Sequence, residues 1–210
     1  MTGEKGGAPP ARIESLMAAV KAAGGRGPAP VHLWNPPDCG DIDLRIKADG
    51  SWHYMGSPIG RPALVRLFAS VLTREGARFV LKTPAEKIGI TVDDAPFLAV
   101  EMAVDEEAGH PVLVFRTSLD ELVRCGAEHP LRFAAGALPG AFTPYVEVRP
   151  GLEARLNRAT YMDLVAVAEV RADVGEPMFG VSSGGVFFPI MPAAELDRLV
   201  EHPVDVQDIP

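Results

Sequence analysis

Residues 42–55 read IDLRIKADGSWHYM, and they decide the fold class. Ile42, Leu44 and Ile46 alternate with Asp43, Arg45 and Lys47, so a strand here presents one apolar and one charged face. Asp49-Gly50 follows, and glycine accepts the positive φ that a tight hairpin turn demands. Residues 51–55 then return as the partner strand. An antiparallel hairpin with one buried face needs a layer to cover it, and the next segment supplies that layer.

Residues 56–61 (GSPIGR) lead to a helix opening at Pro62, a residue preorganised for the first helical position. Leu64, Leu67, Phe68, Val71 and Leu72 form its apolar stripe. Strands are predicted at 78–82 and 88–92, punctuated by Pro84 and Asp93-Asp94. From Phe97 the pattern is again β, with a strand over 97–104, a turn over 105–110 and a strand over 112–116. Residues 119–123 read as one short helix. Further strands are predicted at 131–133 and 145–148, and a helix over 158–170 with Tyr161, Leu164, Val165 and Ala168 on one face. Residues 178–181 and 186–190 flank Ser182-Ser183-Gly184-Gly185 as a second hairpin, and 193–200 form a terminal helix before an acidic tail.

Upstream of the first hairpin, Ile13, Leu16, Met17 and Val20 mark a helix over 11–23. Residues 24–30 (GGRGPAP) end it and read as a linker. A short apolar segment at 31–34 precedes Asn35-Pro36-Pro37, which must turn or extend. Residues 1–10 are rich in Gly and Pro without an apolar stretch, so they read as a lead-in and not as a secretory signal.

The expected class is therefore α+β: two small related domains of antiparallel strands, each with a packed helix. The boundaries expected are a tail, helix and linker over 1–30, a first domain over 31–96 and a second over 97–210. A faint repeat supports the relationship. Residues 61–69 (RPALVRLFA) align with 158–166 (RATYMDLVA), matching Arg61 to Arg158, Leu67 to Leu164 and Ala69 to Ala166. Each follows strand-like sequence through a turn, Asp49-Gly50 in one and Pro150-Gly151 in the other. The shared unit would be a hairpin, a helix and a strand pair.

Composition excludes several classes. No apolar run approaches the roughly 20 residues that span a bilayer. No membrane partner is therefore expected, and two cysteines, Cys39 and Cys125, are too few for a disulfide scaffold, so a reduced cytoplasm fits best. The chain carries a net charge of −8, which disfavours non-specific binding to duplex nucleic acid. Charge is unevenly placed: the first 94 residues hold 12 Lys and Arg against 10 Asp and Glu, and the remainder hold 8 against 18. That asymmetry permits a localised anion site in the first half and an attraction between the halves.

The stretch NPPDCGDIDLRIKADGSWHYMGSPIGRPALVRLF, together with TPAEKIGITVDDAPF, GLEARLNRATYMDLV and GGVFFPI, resembles the bacterial family called domain of unknown function 1285, over nearly all of residues 31–190. The resemblance implies a two-domain fold with internal duplication and a C-terminal domain superficially like the pleckstrin-homology fold. It also implies a ligand site between the domains, for a nucleotide-like molecule with a signalling role. No enzyme activity comes with the family, so the resemblance supplies architecture but no mechanism, and no cofactor is expected.

The residues themselves offer one leading site. A strand passing through two glycines to a helix start leaves backbone N–H groups for an anion, and the helix dipole favours one there. Arg61 and Arg66 would add bidentate phosphate contacts. No Gly-Lys-Ser/Thr completes a nucleotide P-loop, and a tight turn with solvent-facing arginines explains the same residues. Asp41, Asp43 and Arg45 share the charged strand face, either to orient ribose hydroxyls or as a structural ion pair. Asn157 and Arg158 occupy the matching helix start in the second half, with an interdomain salt bridge from Arg158 as the competing reading. Trp34, Trp52, Tyr54 and Tyr161 would stack on a base or pack in the core.

Metal binding is poorly supported, because the histidines at 32, 53, 110, 129 and 202 form no His-x-x-x-His pair. Cys39, Asp41 and His53 are the one trio a hairpin would bring together. Asp93-Asp94 and Glu86-Lys87 admit acid/base readings, against turn chemistry and a surface ion pair. Ser182 and Ser183 lack a His–acid partner in sequence, and no nucleophile elbow is present.

The reading that follows is a non-catalytic ligand-binding or sensor protein for an anionic, nucleotide-like small molecule. Its expected contacts are Asp43, Arg45, Tyr54, Arg61, Asn157 and Arg158, with Arg61 and Arg158 as charge clamps at the domain interface. Two alternatives remain open: an enzyme acting on a phosphorylated substrate with Asp41, Asp43 or Glu86 as base, and a protein–protein adaptor. Oligomeric state is not legible in the sequence.

Overall fold

The computed structural model describes residues 28–136, 140–172 and 175–201. The helix expected over 11–23, most of the linker before residue 28 and the acidic tail lie outside the described residues. The chain divides between Asp94 and Ala95 into two compact units.

The first unit opens with a 3₁₀ turn at Val31–Leu33. Strands β1 (Asp38–Ile46), β2 (Trp52–Tyr54) and β3 (Ser57–Pro58) form a meander. Helix α1 (Pro62–Ser70) follows, and then a second meander, β4 (Leu72–Glu75), β5 (Arg78–Lys82) and β6 (Lys87–Val92). The sheet order is β3-β2-β1-β6-β5-β4, every pair antiparallel except the central β1–β6 pair. The hairpin predicted from the alternation is present: Leu44 pairs with Tyr54 and Ile46 with Trp52. Leu44 and Ile46 are buried and Asp43, Arg45 and Lys47 are exposed, as a strand with a period of two requires.

Helix α1 buries Leu64, Val65, Phe68 and Ala69. Phe68 is fully buried and stacks on Trp52 of β2 at 6.3 Å between ring centroids, which ties the helix to the hairpin. Burying such a ring contributes about 1.5–3 kcal/mol. The predicted stripe runs past the helix end. Val71 is the C-cap, with its N–H donating to the Phe68 and Ala69 carbonyls, and Leu72 already belongs to β4. Strand β4 carries no local signal of its own, because four residues following a helix without a Gly or Pro look like its last turn.

The second unit carries β7 (Phe97–Glu107), β8 (His110–Thr117), β9 (Leu122–Arg124), β10 (Leu131–Ala135), β11 (Phe142–Arg149) and β12 (Leu152–Leu156). Helix α2 (Arg158–Ala166) follows, then β13 (Glu169–Arg171), β14 (Met178–Ser183), β15 (Val186–Pro192) and helix α3 (Ala193–Glu201). Read from its other edge, the six-stranded sheet is ordered β9-β8-β7-β12-β11-β10, with β7 and β12 parallel at the centre. This is the plan of the first sheet. In both, two antiparallel meanders meet through their first and last strands, so the domains are similar and the fold is α+β. Strands β13–β15 form a separate three-stranded sheet.

The faint repeat is out of step with that plan. Helix α1 links the two meanders of its sheet, whereas α2 follows the sixth strand of its own. Each helix does follow a hairpin and precede a meander. In the second unit, however, the following meander is the separate sheet, and the partner of β12 comes from earlier in the chain.

Three further expectations are corrected. Residues 119–123 are not helical: Thr117 Oγ1 accepts from the N–H groups of Leu119 and Glu121, Asp120 adopts φ +67°, and the chain re-enters the sheet as β9. The turn expected over 105–110 is confined to Ala108 and Gly109, with φ +51° and +80°, so β7 runs on to Glu107. The helix expected over 158–170 stops at Ala166, capped by Val167, and residues 169–171 become β13. No helix among the described residues is long and apolar enough to cross a membrane.

Candidate functional site

In the first unit the register sorts the candidate side chains by face. Arg45 pairs with His53 and Thr91, so it shares a face with them and with Asp43. Tyr54 pairs with Leu44 and therefore belongs to the opposite face. Asp43 and Tyr54 are thus not brought together. Arg45 Nε lies 2.6 Å from Asp93 Oδ1, and the Asp93 N–H donates to the Ile46 carbonyl. Of the two readings of Arg45, the structural ion pair is the one its contacts make. Asp43 is exposed and its carboxylate has no partner among the described residues.

The most elaborate polar cluster on this sheet centres on Arg78, which sequence reading did not single out. Arg78 donates from Nε and Nη2 to Asp41 Oδ1 at 3.0 and 2.6 Å, and from Nη1 to Asp38 Oδ2 at 2.5 Å. Gly89 lies beneath the pair: a Cβ there would overlap Asp41 Oδ1 and come within 2.5 Å of Arg78 Nε. Arg78 beside Asp38 holds that carboxyl below its ordinary value, helped by the Gly40 N–H, and the guanidinium is held more firmly protonated in return. With most of its donors on two carboxylates, Arg78 serves the sheet. Its partners stand about forty positions away and meet it only through the parallel β1–β6 pairing, so no local pattern announces them.

Lys87, expected to pair with Glu86, instead meets Glu75 Oε2 at 2.6 Å, and Lys82 takes Glu75 Oε1 at 3.1 Å. Both ammonium groups lower the Glu75 carboxyl, Lys87 the more strongly.

The GSPIGR loop is more constrained than its sequence implies. Ser57 pairs with Tyr54 in β3, and the Ile59 N–H donates to the Trp52 carbonyl at 2.7 Å. Arg61 is the N-cap of α1 through its extended backbone, its carbonyl accepting from Leu64 and Val65, and its side chain caps nothing. In the second unit Asn157 caps α2: its Oδ1 accepts from the Thr160 N–H at 2.8 Å and its own N–H donates to the Ala99 carbonyl. Arg158 is the first residue of that helix. Arg61 and Arg158 are both exposed, and neither side chain makes a hydrogen bond, ion pair or ring contact among the described residues.

Of the aromatic candidates, Trp52 is buried in the core, and Trp34, Tyr54 and Tyr161 are half-buried, the Tyr161 hydroxyl pushed up by burial. Cys39 is exposed, and Cys125 is buried with its thiol pushed up to about 12. No group of three His, Cys, Asp or Glu side chains among the described residues is placed to hold a metal ion. The His53 ring instead contacts Ser51 Oγ at 3.0 Å and the Gly56 carbonyl. Ser182 donates to Glu169 Oε1 at 2.7 Å, an acidic partner not legible in the sequence.

Residues 29–95 match the family model "Domain of unknown function (DUF1285), N-terminal domain", and residues 96–190 match "Protein of unknown function (DUF1285), C-terminal domain". Among solved structures, a DUF1285 family protein from Silicibacter pomeroyi DSS-3 is 48% identical, with a TM-score of 0.78 over 87% of this chain and 98% of that one. One from Shewanella baltica OS155 is 28% identical, with a TM-score of 0.47 over 59% of this chain and 90% of that one. No curated protein matches the chain.

Proposed function

The chain belongs to the DUF1285 family, whose N-terminal and C-terminal models it matches in succession, and from that premise we propose a ligand-binding or sensor protein that takes an anionic, nucleotide-like small molecule through Arg61 and Arg158. The observation that carries this reading is a contrast among arginines. Arg45, Arg78, Arg116, Arg124, Arg132 and Arg149, all in strands, each hold a carboxylate. Arg61 and Arg158 hold none among the described residues, and each stands at a helix start, where the first-turn N–H groups and the helix dipole add to a positive site. A guanidinium left without an internal carboxylate keeps its planar fork for phosphate or carboxylate. Arg45 and Asn157 are engaged within the fold. Asp43 stays in the reading as a carboxylate able to orient a ligand hydroxyl.

The test is calorimetric titration of the purified protein with nucleotides, cyclic dinucleotides and phosphorylated metabolites, repeated on Arg61→Ala and Arg158→Ala. Losing a charge-assisted contact costs about 1.5–3 kcal/mol, roughly ten- to a hundredfold in affinity. Folded protein that binds no member of the panel, or binds one equally well in both variants, sinks the proposal.

A further inference from the structure

A groove of about 430 Å³ opens in the second unit between the three-stranded sheet and the start of β8, lined by His110, Pro111, Glu169, Arg171, Ser182 and Gly185 among others. Its volume falls in the range of small-ligand sites. None of these residues belongs to the helix starts discussed above.

Its walls carry both signs of charge in a fixed order. Glu169 and Arg171 are two residues apart on β13, so they share a face at about 6.6 Å along the strand. Ser182 of β14 donates to Glu169 Oε1 at 2.7 Å, which fixes the carboxylate and leaves its second oxygen without a partner among the described residues. The Arg171 guanidinium lies over the Phe187 ring, 5.3 Å from its centroid. That ring in turn covers Gly180, where a Cβ would meet Phe187 Cζ at 2.7 Å. A guanidinium has five N–H donors and can serve more than one partner at once. The His110 ring makes no hydrogen bond among the described residues. The floor is pinned, because the Gly184 N–H donates to the Pro111 carbonyl at 2.9 Å and the neighbouring Ser183 hydroxyl bonds to both β8 and Cys125.

We propose that this groove binds a small zwitterion of the α-amino-acid class. The ligand ammonium meets Glu169, and the ligand carboxylate meets Arg171, with His110 at the rim as a further polar contact. The spacing of the two charges selects a molecule whose own charges are a few ångströms apart. The Glu169 carboxylate repels a polyphosphate, so this site is separate from the anion contacts of Arg61 and Arg158.

The experiment titrates the full chain with a panel of free L-amino acids at millimolar concentration, and with the N-acetyl and C-amide derivatives of each. A subset of the free amino acids binds, and blocking either terminus weakens binding by about tenfold or more, as expected for loss of one charge-assisted hydrogen bond. Glu169→Gln and Arg171→Gln weaken it similarly, whereas Arg61→Ala leaves it unchanged. The proposal is overturned if no free amino acid binds folded protein, or if blocked derivatives bind as well as their parents. Because the blocked ligands are tested on the unaltered chain, that comparison does not depend on the variants folding.

Discussion

The Ser183 hydroxyl donates to the Cys125 carbonyl at 2.8 Å and accepts from the Leu113 N–H at 2.8 Å, so it stands inside the β8–β9 ladder as one of its rungs. The adjoining rung, Cys125 N–H to the Leu113 carbonyl, is formed at 2.8 Å. A side-chain hydroxyl at the end of the β14–β15 hairpin thereby fastens the three-stranded sheet to the six-stranded one. Ser183→Ala leaves a buried N–H and a buried carbonyl to re-pair imperfectly, and the expected cost is about 2 kcal/mol. Urea unfolding measures it. The Cys125 thiol reports the same event: in the native protein Cys39 reacts with a thiol reagent and Cys125 does not, and in Ser183→Ala Cys125 becomes reactive before global unfolding. A variant as stable and as protected as the parent would show that the hairpin is held elsewhere.

Two strand glycines separate the consequences of close approach. A Cβ at Gly89 meets the ends of the Asp41 and Arg78 side chains, which can swing aside. A Cβ at Gly180 meets the Phe188 carbonyl, and Pro189 Cα at 2.9 Å, which are backbone. Gly89→Ala is therefore expected to cost less than about 1 kcal/mol while displacing the ion pair, and Gly180→Ala about 2–3 kcal/mol by overpacking. Parallel denaturation of both variants checks the ranking, and a reversal would contradict the packing described.

Acid should unfold the protein through a small set of carboxylates. Asp38, Glu75, Glu101 and Asp105 are each held below their ordinary values, chiefly by Arg78, Lys87, Arg116 and Arg124 respectively. A folded-state value below the unfolded one means stability that is fully present above the ordinary values of 3.8 for Asp and 4.5 for Glu. It is lost as pH falls through the depressed values. The melting temperature should be level from neutrality to about pH 5 and fall below about pH 4.5. Added salt should narrow the difference, since most of these pairs are exposed. A melting temperature unchanged at pH 3 would remove these pairs from the account of stability.

The elements legible in the sequence are those whose signal is local. Ile42, Leu44 and Ile46 with Asp49-Gly50 define a hairpin without reference to anything distant. Strand β4 was illegible because Leu72 continues the phase of the helical stripe while its backbone pairs with Leu81. The sequence pattern overruns helix α2 because Ala168 and Val170 extend an apolar periodicity that the Val167 cap ends. The candidate residues divide in the same way. The helix starts that carry Arg61 and Arg158 are local features, whereas Arg78 with Asp38 and Asp41, and Glu169 with Ser182, depend on strand partners brought from elsewhere in the chain.

Glu75 gives the sharpest electrostatic test, because it stands between two cations that the sheet places side by side. Lys82 and Lys87 are register partners in β5 and β6, and their side chains are only 13% and 21% exposed. Like charges directly opposite on adjacent strands repel, and neither ammonium can fully regain water without leaving the sheet surface. The Glu75 carboxylate accepts from both at 3.1 and 2.6 Å and cancels that repulsion. Glu75→Gln keeps the shape and removes the charge, so it should cost about 1 kcal/mol, the loss being limited by the partial exposure of Glu75 itself. Lys82→Met in the same background removes one of the two cations and should recover most of that loss, because the surviving ammonium no longer faces a like charge. Denaturation of the single and double variants measures the coupling. Independent, additive effects would mean that the three side chains do not act as one network.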